Sequence, residues 1–157
     1  MPTRIRATVD PNGGRVEART SGGQPIVMDA DPPHGDDSAA SPKEALLAAL
    51  AGCTAIDVSS ILRKKRQSAS AYDIAVSGSS AQSHPRVFVA IEVEHHVRGD
   101  VSPEALRRAI ELSATRYCPV NAMLSVVARV EHRYRLIGED GGVHEAVVTV
   151  IGPKGSG

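Results

Sequence analysis

The stretch "SPKEALLAALAGCTAIDVSSILRKKRQ", residues 41–67, constrains this chain more than any other. Ser41 suits an N-cap, Pro42 the first helical position, and Glu44 stands three residues after the serine, as in a capping box. The spacing predicts a helix from Pro42 to Arg66 or Gln67, about 37 Å long. From Ala45 to Ile56 it is apolar on every side, so protein must cover it all round. Its last turn, "RKKR", sets cations where the helix dipole is negative, which reads as a solvated, dipole-matched end rather than a nucleic-acid patch.

Strand patterns flank this helix. "TRIRATVD" alternates with period two, "PNGG" is a turn signal, and "RVEARTS" resumes the alternation, giving a hairpin. "QPIVMDA" reads as a third short strand, and the Pro- and Asp-rich residues 31–40 as a mobile loop. "YDIAVSG" and "RVFVAIEVEHHV" are strands joined by "SSAQSHP". A second amphipathic helix starts at Pro103, and Pro119 opens a short third one, "VNAMLSVVA". "RVEHRYRLI" and "HEAVVTVI" close the chain as strands, before a flexible tail from residue 152. Strands at both ends with helices between them make the fold class α+β, in a single domain spanning 1–157.

A single sheet cannot cover a helix that is apolar all round. A dimer can, by packing the helices of two chains together between their sheets. Composition narrows the function. The 157 residues carry 18 basic and 18 acidic side chains, which disfavours a general nucleic-acid or anionic-membrane binder. With no Trp, one Phe and three Tyr, a base-stacking surface is not expected. The N-terminus lacks the apolar region of a secretory signal, and the run from Ala45 to Ile56 is too short to span a bilayer, so the expected location is the cytoplasm.

The chain has two cysteines. Cys53, inside the apolar helix, is on residue type alone either a small core residue or a reactive thiol. It lies three turns from the helix N-terminus, so a reactive Cys53 needs a cation from outside its own helix. Asp57, one turn on, acts the other way. Cys118 adjoins the N-cap of the third helix, where unpaired N–H groups favour an anion, and is locally the better candidate for a low-pKa thiol. A small residue at a tight helix–helix corner is its alternative reading.

"SPKEALLAALAGCTAIDV" and "LSATRYCPVNAML" together resemble the OsmC/Ohr family, the osmotically inducible protein C and organic hydroperoxide resistance proteins. The shared features are Pro-x-Glu opening a long central helix, "AAL-AGC" around the first cysteine and a second cysteine in a "CPV-A" turn. The likeness covers roughly residues 3–137 and lies nearest a less characterised OsmC-like branch. It implies antiparallel sheets wrapped around long central helices in an intertwined homodimer. It also implies a thiol peroxidase for organic hydroperoxides: Cys53 peroxidatic, Cys118 resolving by disulfide formation, and a small dithiol, of lipoyl type for instance, restoring both thiols. Glu44 matches the motif glutamate, nine residues before Cys53, where the family's stands ten before and this chain has Lys43. Arg15 best matches the site arginine, with Arg19 second.

The chemistry fits that assignment. A guanidinium can stabilise the thiolate and hold the peroxide, and a carboxylate can orient the guanidinium. A second thiol captures the sulfenic acid before further oxidation. No cofactor is expected. No CxxC or HxxxH spacing suggests a metal. His95 and His96 are adjacent on a strand and face opposite ways, while His132 reads as an exposed alternate. The alternative function is a non-catalytic dimer that binds a small apolar ligand or senses redox state.

Overall fold

A computed structural model describes residues 2–153; of the tail expected to be flexible, everything beyond Pro153 lies outside the described residues. The described chain forms two compact units that divide after Leu46.

In the first unit, β1 (Ile5–Val9), β2 (Val16–Thr20) and β3 (Pro25–Met28) form an antiparallel sheet in that order. The register of the first hairpin sets Val9 opposite Val16, Ala7 opposite Ala18 and Ile5 opposite Thr20. After β3 the chain folds around the Asp29 carboxylate. It accepts hydrogen bonds from Ser38 Oγ at 2.6 Å, Ser38 N at 3.0 Å and Ala30 N at 2.8 Å. The Ser38 hydroxyl and then these amides hold Asp29 down to about 2. Gly35 is required here, because a Cβ at that position would stand 2.3 Å from the Ala30 carbonyl oxygen.

Helix α1 (Pro42–Lys64) starts as its sequence requires. Ser41 N–H donates to Glu44 Oε2 at 2.8 Å, and Glu44 N–H donates to Ser41 Oγ at 3.3 Å, a complete capping box. It ends slightly before the expected residue. Arg66 adopts φ +57°, its N–H bonds the Arg63 carbonyl at 3.0 Å, and Gln67 N–H bonds Leu62 O at 2.9 Å. That pair of bonds is a Schellman cap, with an arginine at the left-handed position where glycine is usual. The whole helix, unlike its apolar run alone, is long and apolar enough by length and composition to cross a membrane. Leu50, Thr54, Val58 and Leu62, at successive i,i+4 positions, are buried and form its packing face.

The second unit holds a four-stranded sheet in the order β4 (Ser68–Ser80), β5 (Phe88–Asp100), β6 (Arg129–Ile137), β7 (Val143–Ile151). β4–β5 and β6–β7 are antiparallel as expected. β5–β6 is parallel, because the connection between them, residues 101–128, crosses over through helices instead of turning back. These are α2 (Pro103–Leu112), capped by Ser102 Oγ accepting from Ala105 N at 3.1 Å, and α3 (Pro119–Leu124). A π-helical turn, Ser113–Tyr117, separates them. Pro119 cannot continue a helical ladder, and the chain stops in front of it with Cys118 N–H bonded five residues back to Ser113 O at 2.9 Å.

Two apolar clusters join the helices to the inner face of this sheet. Val58 and Leu62 of α1 meet Leu106 and Ile110 of α2 and Val97, Tyr134 and Leu136 of the sheet. Leu50 meets Ile91, Val93 and Val130, with Cys53 packed at the edge and Cys118 within the cluster. The described residues therefore form an α+β fold, with two sheets and three helices.

Candidate functional site: a cysteine pair beside a buried histidine chain

Helix α1 and the start of α3 bring the two cysteines together. Cys53 projects half-buried from α1, and Cys118 is the buried N-cap of α3. Cys53 Sγ, Cys118 Sγ and a carboxylate oxygen of Asp57 all lie within 4.8 Å of one another. Cys118 Sγ is held on two sides. Asn121 N–H donates to it at 3.3 Å, and the hydroxyl of fully buried Thr54 points to it at 3.8 Å. Ser113 Oγ donates to Asp57 Oδ2 at 2.9 Å, a second tie between α1 and the π-turn.

Burial pushes the Cys53 thiol up to about 11. The neighbouring Cys118 thiol and the Asp57 charge add to this, and the Val120 N–H pulls the other way. Among the described residues, no cationic side chain is among the groups that shift the Cys53 thiol.

The remaining expected site residues belong to the first unit. Arg15 is exposed just before β2 and donates to Ser38 Oγ at 2.6 Å. Arg19, on β2, pairs with Glu17 and donates to Gly23 O at 3.2 Å. Both arginines line an open groove of about 450 Å³ along the hairpin, together with Arg6 and Glu17. Glu44 is exposed in its capping box, where the Ser41 N–H and hydroxyl lower its pKa.

A buried polar chain runs from the sheet to the cysteine pair, and its residues were not all readable as such. Tyr72 Oη lies 2.7 Å from His95 Nδ1, His95 Nε2 lies 3.3 Å from His132 Nδ1, and His132 Nε2 lies 2.8 Å from Asn121 Oδ1. Asn121 Nδ2 donates to Ala114 O at 2.9 Å. His132 is thus not an exposed alternate. It is fully buried, because β6 is an inner strand whose residues 130, 132, 134 and 136 face the helices while Arg133 and Arg135 face outward. Adjacent His95 and His96 do face opposite ways, His95 buried and His96 beside Glu94 on the outer face. The signal that could have located His132 is register: it stands opposite Val93, two residues from His95 on the same face of β5.

The chain has one direction. Asn121 gives its amide protons to Ala114, so its oxygen must accept, and His132 donates through Nε2. His132 Nδ1 then accepts from His95 Nε2, and His95 Nδ1 accepts from Tyr72. Both imidazoles are neutral with every ring nitrogen satisfied. Burial lowers His132 to about 4, and burial with the proximity of His132 and His96 lowers His95 to about 3.

Comparison with known proteins agrees with the geometry. The OsmC-like protein family profile matches residues 35–133. Protein YhfA of Escherichia coli K12 is 36% identical over 119 residues, 75% of this chain and 87% of that protein. The fold recurs in an OsmC-like protein from Mycoplasma pneumoniae, with TM-score 0.75 at 20% identity over 87% of this chain and 97% of that one. It recurs also in the organic hydroperoxide resistance protein OhrB of Bacillus subtilis, with TM-score 0.62 at 12% identity over 85% and 98%. A profile spanning both cysteines, a relative matched across most of both chains and the α+β fold around a central helix lead to one conclusion: this chain belongs to the OsmC-like protein family.

Proposed function

We propose that the protein is a cysteine-dependent peroxidase that reduces organic hydroperoxides. The observation that supports this most is the proximity of Cys53 and Cys118 at the junction of α1 and α3, in a family that includes organic hydroperoxide resistance proteins. In this reading the Cys53 thiolate attacks one peroxide oxygen. The O–O bond breaks, the alkoxide leaves and takes a proton as alcohol, and Cys53 becomes a sulfenic acid. The Cys118 sulfur then attacks Cys53 Sγ, water leaves, and a disulfide forms. An external dithiol reduces it, becoming a disulfide itself. Apolar neighbours such as Leu50, Val120 and Leu124 favour alkyl over hydrogen peroxide, at about 0.8 kcal/mol for each CH₂ buried.

The thiolate needs a cation, and we assign that part to Arg15, with Arg19 second and Glu44 as the carboxylate that orients it. A homodimer, acting in a reducing cytoplasm, completes the reading. Ile56, in the middle of α1 and 71% exposed, is an apolar side chain that a second copy would cover.

One observation favours the alternative of a redox-sensing or ligand-binding dimer: the surroundings of Cys53 in its own unit disfavour its thiolate. A single experiment separates the two readings. Reduced protein treated with one equivalent of an alkyl hydroperoxide should lose two hydrogens in mass, yield a Cys53–Cys118 cross-linked peptide, and turn over with a dithiol. Cys53→Ser should abolish turnover. Thiols that stay free, or a Cys53 that only overoxidises, would overturn the peroxidase.

A further inference from the structure

Asp57 has no part in the peroxide chemistry, and its charge opposes it. A carboxylate one turn from the attacking sulfur and within 4.8 Å of both thiols repels the thiolate that the reaction needs. Toward a cation the same three groups cooperate. Cys53 and Asp57 stand at i and i+4 on α1, on one side of the helix, and Cys118 approaches from the end of α3. We infer that the reduced Cys53–Asp57–Cys118 triplet is a binding site for a thiophilic divalent cation of the zinc class.

The donor set selects the metal. Two thiolates with one carboxylate suit zinc, and exclude magnesium and calcium, which take oxygen ligands. Three protein ligands leave a fourth tetrahedral position for water or a small anion. Sulfur–metal bonds of about 2.3 Å put the two sulfurs about 3.8 Å apart, so the sulfurs close by about 1 Å at most. Supporting groups already orient two of the ligands. Thr54 and Asn121 N–H contact Cys118 Sγ, and Ser113 Oγ donates to Asp57 Oδ2 and so fixes the carboxylate. On binding, each thiol loses its proton to solvent, sulfur–metal bonds form, and no electrons are transferred. Disulfide formation removes both sulfur ligands, so metal binding and oxidation exclude each other. The site uses the thiols of the proposed peroxidase without depending on that activity.

The test uses full-length, fully reduced protein titrated with cobalt(II), then with zinc against a chromophoric chelator. The expected result is one metal per chain, a thiolate-to-cobalt charge-transfer band that zinc abolishes, and thiols protected from alkylation while zinc is bound. Cys53→Ser and Cys118→Ser should lose the band. Asp57→Asn, which keeps an oxygen for Ser113, should fold normally by circular dichroism and bind zinc about tenfold or more weakly. Wild-type protein that binds no metal, a band that survives Cys118→Ser, or unchanged affinity in Asp57→Asn would overturn the site. If zinc fails to bind while hydroperoxide still links Cys53 to Cys118, the metal site falls and the peroxidase stands. Zinc binding in a protein whose thiols resist hydroperoxide supports the site and removes the peroxidase.

Discussion

His132 Nε2 donates to Asn121 Oδ1 across 2.8 Å, and this contact fixes the proton positions of two buried histidines and connects the sheet to the residue that holds Cys118. Charging His132 in place turns its accepting Nδ1 into a donor that faces the His95 Nε2–H, and charging His95 puts a cation in a buried site even where the Tyr72 hydroxyl turns to accept from it.

Stability should therefore fall on mild acidification. Both histidines have folded pKa values below the unfolded value of 6.5, so between these limits the unfolded chain binds more protons. Their contribution is complete above about pH 7 and is lost as pH falls from 6.5 toward 4 for His132 and toward 3 for His95. At pH 5 each costs about 2 kcal/mol. Urea unfolding at pH 7.5 and pH 5 should show a clear drop in midpoint. The carboxylate held low by Ser38, Asp29, should matter only below about pH 4. A midpoint that does not change between pH 7.5 and 5 would show that the imidazoles are not buried as neutral groups.

Within the polar chain, the cost of a substitution should depend on how many partners it strands. His132→Phe keeps most of the volume but leaves His95 Nε2–H and Asn121 Oδ1 unpaired in the core, a loss of about 2–4 kcal/mol. Tyr72→Phe strands only His95 Nδ1 and should cost about 1–2 kcal/mol. Equal costs for the two, measured by urea denaturation at pH 7.5, would contradict a directional chain.

The proposed role of Arg15 makes a prediction about thiol titration. Burial, with the Cys118 thiol and the Asp57 charge, pushes Cys53 up to about 11, and a guanidinium brought beside it lowers that value. The rate of Cys53 alkylation, followed against pH in a Cys118→Ser background, should have its midpoint well below 11. Arg15→Gln should move it upward, and each unit of that movement removes about tenfold of the reactive thiolate at neutral pH. If Arg15→Gln leaves the midpoint unchanged and Arg19→Gln moves it, the second arginine serves the thiol.

Much of the fold was legible because its signals are local. The capping box at Ser41, the period-two alternation of β1 and β2 and the prolines opening α2 and α3 each act within a few residues, and each element formed where they indicated. Across longer distances the sequence was informative only where it resembles a family, which is how Cys53 and Cys118 could be paired. His132 and Asp57 show why the rest was hidden. The polar residues around His132 suggested an outer position, and only its pairing with β5 places it inside. Asp57 lies four residues from one cysteine and far along the chain from the other, so its meeting with both sulfurs follows from tertiary packing that no spacing motif encodes.

The helix end offers a test of backbone strain. Arg66 holds φ +57° to complete the Schellman cap, a conformation costing a non-glycine residue about 1 kcal/mol. Arg66→Gly should raise stability by about 0.5–1 kcal/mol at pH 7.5, despite losing a cation near the helix terminus. A lower urea midpoint would mean that the cation matters more than the strain.

The parallel pairing of β5 with β6 has a consequence for assembly. β4–β5 and β6–β7 can each zip locally from a short connection, but the seam between them cannot close until residues 101–128 have been drawn into their crossover. Cys118 rides on that excursion, and Cys53 on a helix that docks against it. The two thiols, far apart along the polymer, therefore meet only where α1 docks against the crossover that joins β5 to β6.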